Sequence, residues 1–559
     1  MQTFNQKISR RDMLKLGLLG GAALMLPLER RARTASSINN RLLESQLPKP
    51  FQVPFAYPPV LQPVGKTGDG KSFYNITMQA QKVQILPSGY PATTIYGYNG
   101  ITPGPTIVAR RGEPIVVRQI NNLPKTAQFN YPTWTSVHLH GSASLPQYDG
   151  YASDVTNPGQ YKDYHYPNIQ DSRTLWYHDH GVHHTAENAY MGLAAQYHLH
   201  DSVEDGLPIP KSYGRYDFPL IIQDKIFDTN GQFVFDNNSF AGLNGDVILV
   251  NGKPWPVMKV ERRKYRFRVL NASISRGYKL QLSSGQPFTF IGTDGGLMPE
   301  PQLSTDFRIG PAERYEIVID FAQNKIGDKV VLQNINPPNN IDFNSIRQIM
   351  RFDVVSEATD LKDNEVPAQL NPNREVMDLQ PLPSGGQHHE MVFERQNGHW
   401  TVSGHTWEDV INSNFVWSIA DCPLDSVETW RLTNKGGGWF HPVHIHLVDF
   451  KVIDRNGKPP FPYELGPKDV VYTGENESVR LAMRFAGPQP PPGLELPPRT
   501  GRYMMHCHNL VHEDHDMMVQ FNVGNSFPNG GDPNDPRLAA LAKPYDFINP
   551  PPPPARVTP

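Results

Sequence analysis

The chain reads as an all-β protein made of three consecutive Greek-key β-sandwich domains. Three observations lead there. Proline supplies 54 of the 559 residues, about twice ordinary usage, and prolines spread this widely break helices and favour short strands between turns. Short apolar runs rich in Val, Ile and aromatic residues recur along the whole length, each bounded by turn residues. The runs fall into three blocks of roughly 150 residues each, within the three or four domains that this length allows.

Residues 1–36 read as a twin-arginine signal peptide. Arg10-Arg11 precedes an apolar run, Leu16 to Leu28, which is too short to span a bilayer. The expectation is cleavage between Ala32 and Ser37, export to the periplasm or beyond, and no membrane contact in the mature form. The first block covers 48–205, with strands around Thr106 to Arg110 and Glu113 to Ile120, a short helix over Thr185 to Tyr197, and a polar linker from Asp201 to Gly214. The second, 206–370, has strand-like runs such as Asp246 to Asn251 and Tyr315 to Asp320. It holds no His between His200 and His388, so it suits a structural or substrate-shaping role and not a metal role. A Pro-rich and acidic linker, 371–387, leads to the third block, 388–530. The tail, 531–559, is Pro-rich with one short helix expected at Pro536 to Ala542. Net charge is −3, with no basic excess for nucleic acid.

The chemistry concentrates in histidine. Ten of the 20 His lie in four short motifs: His138-Leu139-His140, His178-Asp179-His180, His441-Pro442-Val443-His444-Ile445-His446, and His506-Cys507-His508 with His512. On a strand, alternate side chains share a face. Each His-x-His pair then presents two imidazoles together, and neutral imidazole suits copper. Cys507 points away from His506 and His508. A metal on its thiolate and a metal on the imidazoles would lie on opposite sides of one strand, about 10 Å of chain apart. Cys, two His and a weak Met make a blue-copper site. Cys507 and His512 supply two ligands, and His441, at odd offset from His444 and His446, supplies the missing His. The spacing leaves Met517 and Met518 both open as the axial ligand. Eight imidazoles remain (His138, His140, His178, His180, His444, His446, His506, His508), enough for about three metals. The first and third blocks give four each, so these blocks must meet. Asp149 and Glu513 are the candidate acids for proton delivery. His183 and His184 are read as lying behind the cluster or on the surface. Cys422 is read as a small core residue.

These motifs, in this order, resemble the multicopper oxidases, the group that includes laccases, over about residues 48 to 530. Within that group, Arg173 to His180, Thr185 to Tyr190, Asn251 to Pro256 and His506 to Met518 look most like the bilirubin oxidases. The resemblance implies cupredoxin-like domains and four copper ions: type 1 on His441, Cys507, His512 and Met517; type 2 on His138 and His444; and a type 3 pair on His140, His178, His180, His446, His506 and His508. It supports Asp149 and Glu513 as proton-delivery acids and places Trp439 beside the type 1 site. The implied partners are O2 and a small aromatic or tetrapyrrole reductant, with a monomer expected. The implied reaction couples one-electron oxidation of bilirubin, phenols or aromatic amines to four-electron reduction of O2 to water. A cuprous or manganese metallo-oxidase and a spore-coat-like laccase are the alternatives. The Pro-rich segment from Gly487 to Gly501 looks longer than its counterpart and is expected to rim the substrate entrance.

Overall fold

The computed structural model describes residues 40–524 apart from 126–127, 237–240, 336–342, 383–387 and 437. The expected signal segment and the expected tail helix lie outside the described residues. Strands dominate and pack as three pairs of sheets. The first pair combines Ser72–Val83, Ile115–Asn122 and Tyr161–Tyr166 with a four-stranded sheet ordered Ile107–Arg110, Ala194–His200, Arg173–Asp179, Val137–His140. The second joins a seven-stranded and a five-stranded sheet, and the third two five-stranded sheets. Each domain mixes antiparallel neighbours with a parallel pair between strands distant in sequence, such as Asp217–Lys225 beside Lys264–Asn271 and His388–Gln396 beside Val427–Asn434. Alternation holds where one face is solvated: Tyr278–Leu282 has residues 278, 280 and 282 buried and 279 and 281 half-buried. Strands at the domain junctions, such as Arg173–Asp179, are buried throughout, because both faces are covered.

Two expectations need correction. The helix stops at Met191, and Ala194–His200 is a strand. Gly192 ends the helix at φ +131°, where a Cβ would approach Tyr96 O to 2.7 Å. Beyond it Ala195, Tyr197 and Leu199 face the core with period two. The stretch from Asp201 is no simple linker either. Asp201 caps the helix Ser202–Gly206 by accepting from the Glu204 N–H, and Glu204 is buried against Arg266 and Arg268 of the second domain. In sequence these residues look merely polar; the arginine partners of Glu204 lie more than 60 positions away.

Register builds the site. His138 pairs across the sheet with His178, and His444 with His506. Cross-strand neighbours of this kind lie about 5 Å apart, so each sheet brings its own imidazoles together before the domains meet.

Candidate metal centres

Ligand atoms converge within 4.8 Å of one another in several sets, four of which are made only of His and Cys: His138, His444 and His446; His140, His178 and His508; His180, His446 and His506; and His441, Cys507 and His512. All of these residues are buried. Three of the four sets combine residues of the first and third domains, as the division of the eight imidazoles required. The strand Gly501–Cys507 ends at Cys507 and His508 sits in a bend, yet the alternation survives: the His506 and His508 rings lie 5.4 Å apart on the cluster side.

On the other side, Cys507 Sγ lies 3.3 Å from His441 Nδ1 and 3.7 Å from His512 Nδ1, and the two nitrogens are 3.3 Å apart. Two methionines follow, and packing separates them. Met517 belongs to the apolar cluster that contains Cys507, whereas Met518 packs with Met504 and Trp407 on the other face. Trp400 stacks on His512 at 3.9 Å and 28°. Half-buried Trp439 meets the His512 ring edge-on at 6.0 Å. His512 Nε2 donates to Ala241 O of the second domain at 3.1 Å, which leaves Nδ1 free to bind. Burial holds His441 down at about 3, so it stays neutral.

In the imidazole cluster the outer hydrogen bonds choose the tautomers. The Nδ1–H groups of His138, His178 and His444 donate to the carbonyls of Asp149, Asp179 and Asp469. His446 Nδ1 donates to Asp149 Oδ2 at 2.8 Å, and His506 Nδ1 lies 2.8 Å from Glu513 Oε2. Their Nε2 lone pairs therefore turn inward, where His138 meets His444 at 3.4 Å and His506 meets both His180 and His446 at 3.2 Å. His140 is reversed: its Nε2 faces Asp469 Oδ1 at 3.1 Å and its Nδ1 is buried without a partner. His178 Nε2 and both nitrogens of His508 are also unpartnered. Burial, followed by the neighbouring rings, depresses His178 to about 3 and pushes His138, His140, His444, His446 and His508 well below the usual range. Neutral, dry, orphaned imidazole nitrogens facing one another are unstable unless a cation fills the gap. The donor set of thiolate, thioether and imidazole fits copper.

The two candidate acids sit against this cluster. Asp149 is pushed well above the carboxylate range by burial, with Lys162 offsetting a part, and its Oδ1 has no partner. Burial would raise Glu513 too, but His506 and His180 outweigh it and hold the carboxyl at about 2. His183 is half-buried beside Glu408, and His184 is half-buried against Tyr131. Cys422 is a free, buried residue. The Pro-rich segment does not lie at the His512 edge. It packs on the first domain, with Pro491 against Gly112 and Leu494, Leu496 and Pro497 lining a cavity of about 160 Å³ with Tyr148 and His165. The sequence did not point to Asp469, Trp400 or Ala241; none lies in a His motif, and Ala241 and Asp469 act through main-chain oxygens.

Multicopper oxidase family models match residues 79–203, 222–346 and 382–526, and the chain belongs to that family. It is a copper oxidoreductase with oxygen as acceptor. It is 41% identical to the bilirubin oxidase of Albifimbria verrucaria, over 85% of this chain and 81% of that one. It is 34% identical to the laccase of Bacillus subtilis (strain 168), over 83% and 97%. Among solved structures it resembles the McoA multicopper oxidase of Aquifex aeolicus, with a TM-score of 0.72 and 28% identity, over 85% of this chain and 99% of that one.

Proposed function

We propose that the chain oxidises bilirubin, phenols or aromatic amines one electron at a time and passes four electrons to O2. Under this reading His441, Cys507, His512 and Met517 hold a type 1 copper, His138 and His444 a type 2 copper, and the other six imidazoles a type 3 pair. Bound there, copper would supply one-electron oxidation on the sulfur side and reduction of O2 to two waters on the imidazole side. The observation that carries the proposal is the placement of Cys507 between two ligands of the other centre, His506 and His508. Its sulfur and their rings are joined by a few covalent bonds.

The chain's own residues do the rest. The Trp400 stack and the Ala241 carbonyl fix the His512 ring, and Trp439 offers an aromatic edge beside it for a planar reductant. Asp149 and Glu513 fix the orientation of His446 and His506. Asp149 Oδ1, buried with no hydrogen-bond partner, and Glu513 Oε1, 3.5 Å from His180 Nδ1, are the atoms through which protons pass to the cluster. The relatives named bilirubin oxidase and laccase support the choice of reductant. The copper-loaded protein should consume one O2 per four equivalents of bilirubin-, phenol- or aromatic-amine-derived electrons. Stoichiometric peroxide would sink the four-electron reading, and turnover with Cu(I) or Mn(II) but with no organic reductant would replace the substrate class. We propose also that residues 1–36 direct twin-arginine export. Replacing Arg10 and Arg11 by Lys should keep the protein in the cytoplasm of a bacterial host, and unchanged export would refute it.

A further inference from the structure

The second domain carries no histidine between His200 and His388, yet one of its side chains reaches the back of the imidazole cluster. Arg314, fully buried, donates to Asp469 from both ends of its guanidinium, Nη1 to Oδ1 and Nη2 to Oδ2, each at 2.6 Å. Its Nε donates to Thr174 O of the first domain at 3.0 Å, and Nη2 also donates to Asp294 O at 3.0 Å. One residue thus touches all three domains. Asp469 has two outputs. Its main-chain oxygen accepts from His444 Nδ1 at 2.8 Å, and its Oδ1 accepts from His140 Nε2 at 3.1 Å.

The second contact explains the reversed ring. Five imidazoles of the cluster (His138, His178, His444, His446 and His506) point Nδ1 outward to an oxygen. His140 points Nε2 outward, to Asp469, and its buried Nδ1 has no partner. Gly141 is shaped to allow this. It sits at φ +86°, and a Cβ there would fall 2.5 Å from Asp469 Oδ2 and 2.6 Å from Arg314 Nη2. Any side chain at 141 would wedge the pair away from His140. Asp469 also converges with His140 and His444 as a possible ligand set of its own. Both its oxygens are already clamped by the guanidinium fork, which is the geometry of a held carboxylate and not of a metal ligand.

We propose that Arg314 is a positioning residue for the imidazole cluster. It acts through Asp469, which keeps the hydrogen of His140 on Nε2 and leaves the Nδ1 lone pair for the metal. The inference rests on the reading that this cluster holds copper. Outer partners of metal-bound histidines change metal affinity or activity by about 10–100-fold when removed.

The test compares copper-loaded wild type with Asp469→Ala and with the double variant Arg314→Met, Asp469→Leu, which removes the pair without leaving a buried charge unpaired; Asp294, which lies 3.7 Å from Arg314 Nη1, has Lys468 as its nearer partner at 2.7 Å. Each is titrated with a copper chelator. Copper count and the type 2 EPR signal report the cluster, the visible band of the Cys507 site is the internal control, and melting of the apoprotein reports the fold. In both variants cluster copper should be lost at about 10–100-fold lower chelator, while the visible band persists as in wild type. A folded double variant that retains cluster copper like wild type would overturn the positioning role. A wild type that binds no cluster copper would instead overturn the proposed function.

Discussion

The two faces of the strand Gly501–Cys507 hold their ligands by different physics. The sulfur face is set by packing. Cys507 and Met517 lie in one apolar cluster, and Trp400 lies flat on His512; few polar atoms take part beyond Ala241 O and the Asn509 N–H, which donates to Cys507 Sγ. The imidazole face is set by oxygen atoms: a carbonyl or carboxylate stands behind His138, His140, His178, His444, His446 and His506. A site that gives and takes electrons without moving atoms is served by a dry, rigid wall. A site that must also admit oxygen and protons needs acids and fixed tautomers close by. One strand satisfies both because its side chains alternate.

The comparison can be broken on one face at a time. The largest effect is expected from His446→Ala, since His446 belongs to two of the converging nitrogen sets. O2 uptake should vanish and cluster copper fall, while the visible band of the Cys507 site survives; loss of both together would mean that the faces are not separate. Glu513→Gln keeps an acceptor near His506 and removes the proposed proton carrier. Steady-state turnover should drop by about 10²–10⁴-fold, with anaerobic reduction of the Cys507 site by substrate unchanged in stopped-flow measurements. Asp149→Ala removes the partner of His446 Nδ1, and cluster copper should be held about 10–100-fold more weakly, read by dialysis and metal analysis. Trp400→Phe is the mildest. It weakens the stack on His512 and should cost about 1 kcal/mol in thermal unfolding, leaving copper content at the cluster intact.

Much of this was legible in the residues because strand parity is a local rule. His506, Cys507 and His508 announce two sides of one strand, and the odd offset of His441 from His444 places it with the sulfur; the structure brings both sets together. The domains that must meet also followed, since four imidazoles come from each. What stayed hidden depends on distance in sequence. Arg314 and Asp469 are 155 positions apart and resemble any surface ion pair until the fold buries them. Ala241 contributes only a carbonyl, which no side-chain pattern can reveal. The Pro-rich segment before Gly501 was expected at the substrate edge from its nearness to Cys507 in sequence. A strand of seven residues spans roughly 23 Å, enough to carry that segment to the far end of the sheet, where it meets the first domain.

The most direct test of the two-faced strand is the visible and EPR spectrum, with copper count, of the protein before and after Cys507→Ser. The wild type should hold four coppers and absorb intensely at the red end of the visible spectrum. The variant should lose that band and one copper and keep the type 2 EPR signal with three. A wild type without a band that bleaches on Cys507→Ser, or a variant that loses all of its copper at once, would contradict the account.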